Sequence, residues 1–323
     1  MILKLSTVLL LAIPLPAQKT DALAKRIENA PLPAEQRQAI SAALAAKDFA
    51  HIEAILASPV QPGASKDAAP NLPATSAAEL QALLGALDFV GGRMTQAVQA
   101  FARSESLTPL GDADRFTFAM ALVNLGDVAD ARTELSKLDQ AHHDQPAYLY
   151  WLARLDYNQR LYESAVEKLK RVVRLDPASV RGYDNLGLSY DMMGLTEEAQ
   201  RAFATAVELN RKQPRPSPWP PDNQGHLLLR VQKFSEAEQS LRESLKYDPK
   251  FALAHYHLGR VLENLQRDDA AIEEYQSAAA LDPKFPEPLY SLGLLYRRLG
   301  RATESESALA EYRKRKALSN SAL

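Results

Sequence analysis

The sequence predicts an all-α fold, an α-solenoid made by stacking about seven helical hairpins. Three observations carry that prediction. One pattern recurs about every 34 residues, clearest over 252–285, where two short helices lie back to back around a corner at Asn264–Arg267. A leucine followed by a small residue recurs in phase in the first helix, as Leu84-Gly85, Leu186-Gly187, Leu258-Gly259 and Leu292-Gly293. Asp-Pro pairs at 176–177, 248–249 and 282–283 stop second helices, because proline cannot continue a helix and restrains the residue before it. A chain that repeats one hairpin stacks units and does not close a single core.

Taken in order, residues 1–17 place Lys4 ahead of an apolar run from Leu5 to Ile13 and a small-residue tail ending at Ala17. This is the plan of a secretory signal, with a short buried helix as the competing reading. The run is about half of the roughly 20 residues that span a bilayer, so no permanent membrane anchor is expected. The expected location is exported, periplasmic or secreted. Residues 18–57 carry apolar positions at helical spacing (Leu23, Ile27, Ile40, Leu44, Phe49, Ile52, Leu56). Pro31 and Pro33 separate a first helix from a second, and Lys47-Asp48 turns into a third. This segment reads as a cap or degenerate repeat over the end of the array. Residues 58–77 hold four prolines among small polar residues and read as a linker. The array occupies 78–319, with repeats starting near 78, 112, 146, 180, 218, 252 and 286.

Within each repeat the spacing serves packing. A small residue after the first-helix leucine faces an alanine of the second helix (Ala97, Ala131, Ala165, Ala199, Ala237, Ala271), so the backbones can approach; a bulky side chain there costs about 1–3 kcal/mol. Glycines 92, 126, 194 and 300 share one turn position and suit the left-handed end of a helix. Ser235 with Glu238, and Thr303 with Glu306, have capping-box spacing. The period breaks once. The step from the fourth to the fifth repeat is longer, and the extra residues fall in 213–221, which holds five prolines. The following helix is expected to be short and to start near Asp222. Trp219 there either plugs a local seam, forms a lip over a ligand, or belongs to a free proline-rich ligand.

Composition narrows the function classes. The chain is 46% hydrophobic and 24% charged with a formal charge of −2, which gives no electrostatic case for nucleic acid. It has no cysteine, which excludes disulfides, thiol catalysis and cysteine-ligated metal. His255 and His257 are two apart on a helix and point away from one another, wrong for a helical metal pair. His142-His143 lies in a turn. Acid pairs Asp268-Asp269 and Glu273-Glu274 suit the start of a second helix. Arg313–Lys316 suits a helix C-terminus, with nucleic acid or membrane contact as the lesser reading. No phosphate loop and no nucleophile motif is present. No enzyme, metal or cofactor is expected.

The leucine–small pair, the second-helix alanine and aromatic, and the closing proline together resemble the tetratricopeptide repeat family over residues 78–312. The resemblance implies a right-handed superhelix of antiparallel helix pairs with a concave groove lined by first helices, and a function in holding partner proteins or peptides. The groove positions it implies are Tyr150, Trp151, Arg154, Arg181, Asn185, Asn223, His226, Arg230, Tyr256, His257, Arg260, Asn264, Tyr290 and Arg297, with Tyr157, Asp184 and Arg298 beside them. The first two repeats offer the more apolar Ala82, Phe89, Phe116 and Met120. Rings and arginines on one face suit an extended peptide carrying acidic or terminal carboxylate groups. Packing within the array or a solvated face is the competing reading. No repeat has the lysine and asparagine of the family's carboxylate clamp, which argues against chaperone C-termini. The expected function is a non-catalytic protein- or peptide-binding scaffold in cell-envelope assembly or maintenance. The alternative is an accessory or glycan-binding subunit of an extracytoplasmic enzyme complex, with Tyr150, Trp151 and Tyr256 as stacking platforms. The sequence leaves oligomeric state open.

Overall fold

The computed structural model describes residues 17–57 and 73–321. The signal reading and most of the linker therefore lie outside the described residues. Those residues form seventeen helices and no strand. They divide into two compact parts, one ending at Asn158 and one beginning at Gln159.

The first part opens with α1 (Ala17–Asn29), α2 (Ala34–Ala45) and α3 (Phe49–Ala57). It continues with α4 (Ala74–Val90), α5 (Met94–Leu107), α6 (Asp112–Leu125), α7 (Val128–Ala141) and α8 (Pro146–Asn158). Helix α4 starts at Ala74, after Pro73, so the end of the proline-rich segment is already helical. Successive helices pack on one another: α4 on α5, α5 on α6, α6 on α7, α7 on α8. Helices α1–α3 cover the open side of α4. Ile27, Ile40, Ile52 and Leu56 join Leu80, Leu83, Leu84 and Leu87 in one apolar cluster. The Phe49 ring lies directly against Gly91, where an added Cβ would approach it within 2.5 Å. Arg93 locks the seam by pairing with Asp88 and lying 5.2 Å over the same ring. Arg26 of α1 reaches Asp114 of α6 at 2.6 Å.

The second part runs α9 (Tyr162–Leu175), α10 (Val180–Met192), α11 (Thr196–Arg211), α12 (Trp219–Arg230), α13 (Phe234–Tyr247), α14 (Ala252–Asn264), α15 (Asp268–Leu281), α16 (Glu287–Arg298) and α17 (Ala302–Ser321). Its hairpins stack in the same way, as an α-solenoid requires. The second-helix ring or leucine fills the notch left by the first-helix glycine. Phe203 lies against Gly187, Leu241 against Gly225 and Tyr275 against Gly259. Each of these side chains is fully buried, which is worth about 1.5–3 kcal/mol apiece.

Every first helix ends alike. Position 15 of each repeat is left-handed: Gly92, Gly126, Gly194 and Gly300 at φ +74° to +78°, and Arg160, Gln232 and Gln266 at +57° to +61°. The next N–H returns to a carbonyl five residues back, as in Asp127 to Leu122 and Arg267 to Leu262. This is the Schellman closure. Because it fixes where the second helix begins, the expected capping boxes do not form. Ser235 and Thr303 already sit inside α13 and α17, and Glu238 pairs with Arg242 and Arg267 instead.

The proline-rich break also differs from expectation. Helix α12 starts at Trp219, not near Asp222, and Pro220 and Pro221 occupy its first turn. The amide hydrogens they lack have no partner in a first turn, so proline is tolerated there. The segment before it is tied down. Asn210, buried at the end of α11, exchanges two hydrogen bonds with Ser217 at 2.8 and 2.9 Å. The Ser244 hydroxyl donates to the Pro218 carbonyl at 2.8 Å, and Trp219 meets Phe251 edge-on at 4.7 Å. Trp219 thus plugs a local seam.

Candidate functional site

The implied groove residues fall in both parts. In the first, α8 carries Tyr150, Trp151 and Arg154. All three are half-buried, and the Arg154 guanidinium lies 5.2 Å over Trp151 and 5.9 Å over Tyr150. Trp151 packs on the core formed by Phe118, Leu122 and Leu152. Ala82 and Met120 are buried in that core, so they are packing residues, while Phe89 and Phe116 stay half-buried. The stacking-platform reading loses ground here, because an arginine already lies over these rings.

In the second part the first helices α10, α12, α14 and α16 carry the remaining eleven residues. A lateral ladder links neighbouring first helices. The Asn223 amide donates to both Asp184 oxygens at 3.0 and 3.1 Å. Asp222 meets His257 Nδ1 at 3.0 Å. Arg230 pairs with Asp191 at 2.6 Å and Arg298 with Glu263 at 3.4 Å. In each pair an acid at position 5 or 12 of one repeat meets a partner at position 6 or 13 of the next.

The ladder corrects several expectations. His257 and Asn223 hold helices together; His257 is buried and Asp222 fully so. Asn185 and Asn264 donate back to the carbonyls of Arg181 and Arg260 in their own helices, at 3.0 and 2.8 Å. Arg230 and Arg298 are spent on acids. Tyr256 is edge-packed by Phe285 at 5.1 Å and covered by Arg260 at 5.8 Å, so it too is a poor stacking platform. Of the residues named, Arg181, Arg260 and Arg297 have no acidic partner among the described residues, and Arg181, Arg297 and Tyr290 are exposed.

The acids of these four helices explain the imbalance. Asp184, Asp191, Asp222 and Glu263 are used by the ladder, and Glu287 acts on Lys316 of α17. His255 and His142 are also occupied. His255 meets Glu274 at 2.5 Å and the Pro249 carbonyl at 3.0 Å. His142 meets Asp112 at 2.7 Å. Of the basic end, Arg315 donates to the Ala279 carbonyl in the last turn of α15 at 2.7 Å, and Lys316 to the Tyr312 hydroxyl at 2.8 Å. Among the described residues no three side chains are placed to hold a metal ion, and no helix is long and apolar enough to cross a membrane.

The ladder has an electrostatic consequence. Burial pushes the Asp184 carboxyl up to about 7, opposed by the Asn223 amide and reinforced by the charge of Asp222. A folded-state value above the unfolded one means the proton is held more tightly in the fold. That stability is whole below about pH 4 and is lost as pH rises through about 7. Thermal unfolding should therefore fall between pH 5 and pH 8, by roughly 2 kcal/mol for this group. Asp184→Asn should remove most of that fall in melts followed by circular dichroism. An unchanged pH slope would count against the assignment.

Two family profiles described as tetratricopeptide repeat match the chain, one over residues 116–180 and 223–286 and the other over 180–213. Together they cover half of it. No curated protein matches. Among solved structures, the Cut9–Hcn1 hetero-tetramer of the APC/C is 16% identical with a TM-score of 0.60, over 86% of this chain and 52% of that one. PilW, a type IV pilus biogenesis factor, is 17% identical with a TM-score of 0.57, over 62% and 91%. Yeast Tom70 is 15% identical with a TM-score of 0.51, over 74% and 50%. At these identities the likeness is one of fold.

Proposed function

The chain belongs to the tetratricopeptide repeat family, and on that premise we propose that it is a non-catalytic scaffold whose first-helix face, on α10, α12, α14 and α16, holds an extended, acidic segment of a partner protein. The observation that carries this is the division of charge on that face. Four of its five acids, Asp184, Asp191, Asp222 and Glu263, are consumed in the ladder, while Arg181, Arg260 and Arg297 keep no acidic partner among the described residues. Arginine pairs with carboxylates in a planar, two-pronged way and suits a peptide with acidic groups.

The protein is exported in this reading and works in assembly or maintenance of the cell envelope. The support is the charged, apolar and small-residue order of residues 1–17. Fractionation of cells expressing the full chain tests export, and full-length protein confined to the cytosol would overturn it.

The scaffold reading is tested by a photo-crosslinking residue placed at Tyr290, an exposed first-helix position, or at Arg242, an exposed second-helix position. Partner adducts should form from 290 and not from 242. Adducts from 242 alone would place the binding surface on the other face.

A further inference from the structure

We propose that α12 and α14 form a carboxylate subsite in which the imidazole of His226 and the guanidinium of Arg260 take the oxygens of one acidic group of the bound segment. This rests on the reading of the first-helix face given above and names the contact that anchors the ligand there.

His226 is held in place from one side. Its ring stacks on His257 with centroids 4.5 Å apart and planes 13° from parallel. His257 in turn is fixed through Nδ1 to Asp222, whose carboxylate is fully buried. Yet among the described residues neither ring nitrogen of His226 has a hydrogen-bond partner. The residue is half-buried, and burial together with His257, Arg260 and Arg230 pushes its pKa down to about 3. Across physiological pH it is a neutral imidazole, with one N–H to donate and one nitrogen that accepts.

The cations around it are unequal. Arg230, one turn further along α12, is spent on Asp191. Arg260, three residues after His257 on α14, rests 5.8 Å over the Tyr256 ring and has no acidic partner. Arg260, without a counter-charge, lies over Tyr256, whose ring is 5.7 Å from His257, and its charge is felt at the His226 ring stacked on His257. A planar carboxylate satisfies both, one oxygen toward each, and places no negative charge near an unpaired acid, since Asp222 and Asp184 are occupied by His257 and Asn223. The donors are too few for a phosphate dianion, which favours more cationic contacts. Arg181, exposed at the start of α10 beyond the Asp184–Asn223 pair, is placed for a second acidic group.

The test is calorimetric titration of the full chain with N-acetylated octaglutamate, with octaglutamine and inorganic phosphate as the other arms. Octaglutamate should bind, and Arg260→Ala should weaken it at least tenfold. His226→Phe keeps a ring against His257 and removes both nitrogens, and should weaken binding about as much. In histidine-labelled protein, the His226 nitrogen signals should move on adding octaglutamate, not octaglutamine, and should report a neutral ring before addition. No binding of octaglutamate, binding unchanged in Arg260→Ala, unmoved His226 signals, or a preference for phosphate would each overturn the subsite. If His226→Phe unfolds, Arg260→Ala and the nitrogen signals still decide. Crosslinking from Tyr290 separates the two readings. Adducts that persist while octaglutamate fails would retire the subsite and leave the scaffold.

Discussion

Gly259→Leu should lower the stability of the protein by about 3 kcal/mol, while Arg260→Ala, at the next residue, should lower it by no more than about 0.5 kcal/mol. A Cβ on Gly259 would stand 2.7 Å from the Tyr275 ring, well inside contact distance. That ring cannot retreat. It is fully buried, packs against Leu258, Ala271 and Leu292, and its hydroxyl donates to Glu263 at 2.8 Å. The helices must separate, and every neighbour on the stack moves with them. Arg260 loses only an outward guanidinium over a half-buried tyrosine. Thermal and urea unfolding of the two variants measure this directly, and the opposite ranking would mean that the repeat register is wrong.

Arg93→Ala should cost nearly as much, about 3 kcal/mol, by leaving Asp88 without a cation. Asp88 is almost wholly buried, and Arg93 Nε and Nη2 both donate to its Oδ1. Burial already pushes this carboxyl above its usual range, with Arg93 opposing the rise. Without the guanidinium the carboxyl rises further, so the loss should be smaller in acid than at pH 8. Arg93 also holds Phe49, so α3 should loosen from the Gly91 corner. Hydrogen exchange should show faster opening of 49–57 in the variant. A stability loss below 1 kcal/mol at pH 8 would show that the buried carboxylate is tolerated unpaired.

The stacking half of the fold was legible because it is written in residue size. The leucine–glycine pair and the alanine, phenylalanine or tyrosine that meets it each tolerate few alternatives, so their period survives in the sequence. The corners were half legible. Glycine marked four of the seven, and Arg160, Gln232 and Gln266 take the same left-handed backbone with no signature. The capping boxes misled because Ser235 and Thr303 are ordinary helical residues once the Schellman closure fixes the helix start.

The groove was read less well, for a reason that was also in the sequence. Positions 5 and 6, and 12 and 13, of neighbouring repeats face each other laterally. An acid followed 35 residues later by a donor is thus a ladder pair, as in Asp222 with His257 and Glu263 with Arg298. Across the proline-rich break the same step becomes 39, as in Asp184 with Asn223 and Asp191 with Arg230. Reading each helix alone gives Asn223, His257 and Arg230 the look of free groove residues. Reading repeats in pairs assigns them to Asp184, Asp222 and Asp191 and leaves Arg181, Arg260 and Arg297.

That division is the central claim, and partner recovery from cells tests it most directly. Two variants are compared with the unaltered protein: Arg181, Arg260 and Arg297 changed together to alanine, and Arg230 and Arg298 changed together to alanine. The first should lose its partner with an unfolding temperature within about 2 °C of the parent, and the second should keep the partner while melting lower. Equal recovery of the partner by the first variant would contradict the account.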